Sequence, residues 1–187
     1  MANDSSTGGF ISPAGSSAPL QDDALADFLQ ELVVGITGLP ADLVRPRWQS
    51  TVPKQPEATV DWCAIGVTSI EGDDYPAEVH DGTDDGSSRF EKHETLNLLA
   101  SFYGPHAQGN AGMLRDGLYI AQNREAMAAQ NMNLTDAAGI TAAPDLINQR
   151  WVRRYDLPIR FRRKVERVYP ILNILSASID TETDAHP

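Results

Sequence analysis

"WVRRYDLPIRFRRKVERVYP", residues 151–170, decides how the chain folds. Seven of the 15 lysines and arginines sit in these twenty residues, and Arg150 just before them makes eight. Parity shows what the segment is. Tyr155, Leu157, Ile159 and Phe161 point one way, while Arg154, Asp156, Arg160, Arg162, Lys164 and Glu166 point the other. Alternation with period two predicts a strand with an apolar face on a core and a charged face outward. Pro158 has no N–H for a ladder hydrogen bond, so it belongs at an edge or a bulge.

A second segment carries the same signature. In "RFEKHETLNLLASFYG", 89–104, the residues Phe90, Leu96, Leu98, Ala100 and Phe102 share one parity, and Glu91, His93, Thr95, Asn97 and Ser101 share the other. "ATVDWCAIGVTSI", 58–70, is rich in β-branched and aromatic residues and predicts a third strand. "LVRPRWQS", broken by Pro46, suits an edge strand. "MNLTDAAGI" and "ILNILSASI", 171–179, predict further strands, and "TAAPDLIN" a loop.

Helices lie between them. Leu25, Phe28, Leu29, Leu32, Val33 and Ile36 fall on one helical face, with Asp22 or Asp23 as N-cap and Gly38 and Pro40 as the stop. Pro105 opens a second helix to about Leu118, its Ala107, Ala111, Leu114 and Leu118 inward, and the small residues at 107–112 predict close packing. Residues 121–131 predict a short polar helix. The order implies an α+β domain: a mostly antiparallel sheet with helices packed on one face. Residues 1–20, mostly Ser, Gly, Ala and Pro, read as a flexible arm; 21–180 as a single domain; 181–187 as an acidic tail.

With 26 acids against 15 bases, the net charge is −11. Such a chain repels nucleic acid and anionic membrane on average, so any such binding must be local. No apolar run approaches the ~18–20 residues of a membrane span. The N-terminus has neither the basic nor the apolar region of a signal peptide. One cysteine, Cys63, allows no internal disulfide.

No catalytic set can be named. Cys63 sits inside an apolar strand, and His80, His93, His106 and His186 lack ligand spacing. The cluster Asp73, Asp74, His80, Asp81, Asp84 and Asp85 departs from the calcium-loop pattern. "GPHAQGNAG" has no phosphate-loop lysine. Neither enzyme, metal nor cofactor is expected.

The concentrated charge admits three readings. It can be a solvated strand face with an aggregation-blocking edge. It can bind nucleic acid, which needs stacking aromatics or a groove-reading helix; the strand's aromatics have core parity and no helix is basic. Or it can mediate self-association. Residues 71–88 carry seven acids, in a loop or a hairpin with a long tip, while 150–167 carry eight bases against two acids. Two such patches on different parts of one molecule can meet between copies, and a contact of that kind closes into a ring if its rotation permits. An intramolecular contact is equally allowed. The candidate interface residues are Arg150, Arg153, Arg154, Arg160, Arg162, Arg163 and Lys164, against Asp73, Asp74, Asp81, Asp84 and Asp85.

Four stretches together resemble a known family: "LPADLVRPRWQ" (39–49), "DWCAIGV" (61–67), "LLASFYGPHAQGNAGMLRDGLYIAQNREAM" (98–127) and "NQRWVRRYDLPIRFRRKVERVYPILNILSAS" (148–178). In order and spacing they are similar to the neck or tail-terminator proteins of tailed bacteriophages, over roughly residues 24–179. The resemblance implies an α+β virion protein at the head–tail junction, assembled in the host cytoplasm. It would form a ring, usually of six, that caps the tail tube and docks to the head-completion or connector protein. DNA would pass through the lumen without specific binding. A portal-bound head-completion adaptor is the alternative within virion proteins, and a nucleic-acid-binding accessory protein the alternative of another class. The N-terminal arm and the acidic 71–88 segment depart from the family pattern. Because a pore should not hold a sliding genome, the cations are expected between protein chains and not on the lumen.

Overall fold

The computed structural model describes residues 3–14, 19–51, 53–147 and 149–175. These form two compact units, one of residues 19–75 and 92–165, the other of 3–14, 76–91 and 166–175.

The larger unit begins with α1, Asp22–Thr37, whose Leu25, Leu29 and Val33 are buried. The N-cap differs from expectation: Gln21 takes it, with no side-chain bond, and Asp22 and Asp23 lie in the first turn. Carboxylates there still favour the positive end of the helix dipole. Gly38 closes the helix at φ 72°, its N–H bonded to Val34 O at 2.9 Å. Only glycine adopts that conformation freely.

Nine strands follow: β1 (Val44–Pro46), β2 (Trp62–Gly72), β3 (Ala77–Asp81), β4 (Ser87–Tyr103), β5 (Met132–Ala137), β6 (Thr141–Ala142), β7 (Asp145–Ile147), β8 (Arg150–Val152) and β9 (Arg154–Tyr169), counted among the described residues. The main sheet runs β1-β2-β4-β9-β5, with β3 also on β4 and β6 also on β9. β1 is parallel to β2. The pairs β2–β4, β3–β4, β5–β9 and β6–β9 are antiparallel. Helices α2, Ala107–Gly117, and α3, Ala121–Ala129, come between β4 and β5.

Parity holds along both long strands. On β9, Leu157, Ile159, Phe161 and Val165 are buried; on β4, Leu96, Leu98, Ala100 and Phe102 are. One hydrophobic cluster joins all of these except Val165 to Ile65, to the buried face of α1, to Ala107, Ala111 and Leu114 of α2 and to Met127 of α3. Ser101 departs from expectation: it lies on the outward parity yet is fully buried, because Arg47 and Asp156 bond across its hydroxyl.

Pro158 sits on an interior strand, at the point where β9 changes partner. Ile159 pairs with Ala137 of β5, Asp156 pairs with Thr141 of β6, and Pro158 O accepts from Ala138 N between them at 3.0 Å. In a strand a residue's N–H and C=O point to the same side, so the missing N–H faces the break, where a ladder bond is dispensable.

Three expectations fail locally. "DLI" within the expected loop is strand β7, paired to β8. Ile171–Leu175 form no strand, and the rest of the expected final strand lies outside the described residues, as does the acidic tail. Of the small residues at 107–112, the alanines pack as expected, Ala107 and Ala111 being fully buried in the core, but the glycines do not make the close helix approach. A Cβ on Gly109 or Gly112 would meet nothing, whereas one on Gly117 would run into the Ile36 side chain of α1.

Cys63 is wholly buried on β2. Burial pushes its thiol far up, with only a small opposing pull from Arg47. The thiolate is the reactive form. Native protein should therefore leave a thiol reagent such as DTNB unreacted for hours at pH 8, and one equivalent should react at once in guanidinium.

In the smaller unit, β3 pairs with the start of β4, and residues 82–86 form the hairpin tip. Asn173 N donates to Asp85 O at 2.9 Å, and His80 Nε2 lies 2.7 Å from Asn173 Oδ1. Described residues of the N-terminal arm bond the same stretch: Ser5 N to Pro170 O at 3.2 Å and Ala14 N to Val168 O at 2.7 Å.

Candidate functional site

β8 and β9 display the cations, and the structure divides them into three groups. The first is committed within its own chain. Arg163 shares the parity of Val165 and Phe161 and is 2% exposed. Its Nε and Nη2 donate to Glu94 Oε2 at 3.0 and 2.9 Å, and its Nη1 to Leu20 O at 2.6 Å. Burial removes Arg163 from the cations that a neighbouring chain can reach. Arg154 clamps Asp156 with two parallel bonds of 2.8 and 2.9 Å and lies 3.5 Å from Asp145. That network continues inward, since Ser101 Oγ donates to Asp156 and accepts from Arg47 Nη2.

The second group is held at the surface. Arg162 Nη2 reaches both oxygens of Asp73, at 2.9 and 3.2 Å. Both are about half exposed, so the pair contributes little, on the order of 0–1 kcal/mol. Lys164 is half-buried and partnered. Arg153 is exposed and donates to Pro105 O at 3.1 Å. The third group has no carboxylate partner among the described residues: Arg150 and Arg160 are exposed and form no ion pair there.

The acids divide in a similar way. Asp73 is met by Arg162, and His93 Nδ1 lies 3.7 Å away. Asp81 accepts from the backbone and hydroxyl of Thr83, and these bonds hold its carboxyl below the ordinary range. Asp84 and Asp85 offer their backbone carbonyls to Asn173, which leaves their exposed carboxylates outside those bonds. Asp74 is exposed and meets no cation among the described residues. No group of three or more His, Cys, Asp or Glu among the described residues is placed to hold a metal ion.

Sequence reasoning missed an aromatic feature beside the cations. Trp62 and Tyr103 are opposed where β2 and β4 meet, and their rings stack at 4.2 Å with 6° between planes. A guanidinium lies over each ring, Arg45 over Trp62 at 5.8 Å and Arg154 over Tyr103 at 5.7 Å. Trp48 stands nearby, 72% exposed. The available signal was an aromatic residue at the matching ends of two strands.

This surface has partly unpaired charge, an exposed Trp48 and a buried frame. A family profile described as "Phage neck terminator protein" matches residues 23–185. The chain belongs to the phage neck terminator family. It is a structural protein of the phage neck, a virion component, and membership implies interaction with other virion components. Comparison with individually curated proteins gives no match. No helix among the described residues is long and apolar enough to cross a membrane.

Proposed function

We propose that this neck protein is a tail terminator whose copies close into a ring, six-fold by analogy with such proteins. One face of the ring caps the last tail-tube ring and stops its growth; the other joins the head connector. DNA passes through without being held. The observation that carries this reading is the family match over 23–185, which leaves out little more than the arm. Charge supports it. The chain's bases are outnumbered, yet among the described residues Arg150 and Arg160 stay exposed and form no ion pair, Asp136 lying only across the ladder from Arg160, while Asp74 stays exposed without a cation. Arginine suits contact with a neighbour's carboxylates because its planar fork makes two parallel bonds.

The test is charge reversal at the cations the chain leaves unpaired. Arg150→Glu with Arg160→Glu should abolish ring assembly or tail–head joining in reconstituted particles and keep the melting temperature of the subunit within a few degrees. A double variant that assembles normally but fails only in DNA packaging or ejection would put these residues on the DNA path and sink the reading.

A further inference from the structure

A groove of about 540 Å³ opens beside the aromatic stack, lined by Trp48, Trp62, Tyr103, Pro46, Pro53 and Arg45 among others. A second, of about 580 Å³, adjoins it through Trp62 and carries Arg150 and Lys54. The stack itself gives the grooves a firm floor: Tyr103 is 8% exposed and its ring is held against Trp62. A tryptophan as exposed as Trp48, with arginine beside it around a firm concavity, is of the kind that dominates binding energy in protein interfaces. Arg45 donates to the backbone carbonyls of Asp42 and Lys54, at 3.1 and 2.7 Å, and to no carboxylate. The groove linings also carry the carboxylates Asp145 and Glu57, but these meet Arg154 and Lys54, so among the described residues Arg45 and Arg150 form no ion pair at the rim.

The same chain displays a part of matching character. Between β2 and β3 the backbone bends at Asp74 and Tyr75. Tyr75 is 93% exposed, so none of the described residues covers its ring, and it does not line the groove. Asp74 precedes it, exposed and without a cation among the described residues. Pro76 next to the ring fixes one backbone angle, which lowers the ordering cost of docking.

We propose that Tyr75 is a knob that one copy inserts into the Trp48–Trp62 groove of the next, with Asp74 meeting the arginines Arg45 and Arg150 at the rim. The proposal rests on the ring reading and gives it a specific contact. It is a heterologous contact, since knob and groove are different surfaces, and repetition of such a contact closes a ring when its rotation permits. The opposite charges set register and speed encounter, while the buried rings supply most of the affinity. A nucleic acid suits the groove less well, because the Trp62 and Tyr103 faces are taken by each other and by guanidinia and are not free to stack on bases.

Native mass spectrometry of the full chain reads the ring first. A mass that is a multiple of the subunit supports the ring, and a subunit-sized species at every concentration overturns both the ring and this contact. Tyr75→Ser should then raise the concentration needed for assembly at least about 30-fold, the loss expected for an aromatic anchor. Trp48→Ala should do the same, and both side chains are exposed enough that the melting temperature should hold. An equimolar mixture of the two variants should give heterodimers and stop there. The intact knob of Trp48→Ala fits the intact groove of Tyr75→Ser, and the other ends of that dimer are both spoiled. Tyr75→Ser rings with wild-type mass and midpoint overturn the knob and leave the ring standing. So does a Trp48→Ala variant that assembles normally and loses affinity for DNA in a salt titration, which would make the groove a nucleic-acid site.

Discussion

Leu157→Asp is expected to unfold the chain, whereas Arg160→Asp, three residues along the same strand, leaves it folded. Leu157 has no exposed surface and belongs to the cluster that joins the sheet to all three helices. Removing a buried leucine costs about 2–5 kcal/mol from lost transfer and a cavity. Placing a carboxyl there adds several more, whether it stays ionised or takes up a proton without a partner. Together these match the ~5–15 kcal/mol that holds an ordinary domain. Arg160 is exposed, and its cross-strand neighbour is Asp136. An aspartate at 160 sets two like charges opposite each other, a cost of roughly 0.2–1 kcal/mol. Far-UV circular dichroism and the soluble yield of each variant measure the difference. Equal loss in both would mean that the faces of β9 are misassigned.

The faces of β4 and β9 were legible because each strand is long and one side of it meets a continuous core. The final stretch was not. "ILNIL" has the composition of a strand, yet Leu172, Ile174 and Leu175 are 37%, 89% and 73% exposed. Strand propensity is at bottom a fit to a neighbouring strand, and no composition supplies that neighbour. Here the stretch is anchored by Asn173 to the hairpin tip instead. Among the cations, parity separated outward Arg160 and Arg162 from the core. It could not say which of them finds an acid at home, because Arg162 and Asp73 are 89 residues apart in sequence. One pair was legible and went unread. Glu94 has the parity of Leu96 and Leu98, and Arg163 has that of Phe161 and Val165. A lone acid on the inward face of one strand and a lone base on the inward face of another are the sequence signature of a buried ion pair.

That pair sets the other large effect: removing Glu94 alone should cost more than removing both partners. Glu94→Ala leaves the Arg163 guanidinium 2% exposed with no counter-charge, and orphaning a buried charge costs about 3–5 kcal/mol. Lys92, whose Nζ lies 2.8 Å from Glu94 Oε1, loses its partner as well, but it is more exposed and water can replace the contact. Glu94→Leu with Arg163→Met replaces both charges with apolar groups of similar bulk, a change that is often neutral or stabilising. It deprives Leu20 O of its 2.6 Å donor, at a cost of ~1–3 kcal/mol if water cannot reach that carbonyl. The double variant should therefore unfold at a urea concentration well above that of Glu94→Ala. Acid separates the pair from simple packing. Burial pushes the Glu94 carboxyl up, but hydrogen bonds from Lys92 and Arg163 outweigh it, so its pKa lies below the ordinary value. A folded-state value lower than the unfolded one means stability that is fully present above about pH 4.3 and drains away as pH falls through the folded value. Urea midpoints of the wild-type chain should drop below about pH 4, and part of that drop should be missing from the double variant. If the double variant is as unstable as Glu94→Ala and keeps the whole acid loss, the ion pair is not what holds β4 and β9 together at this point.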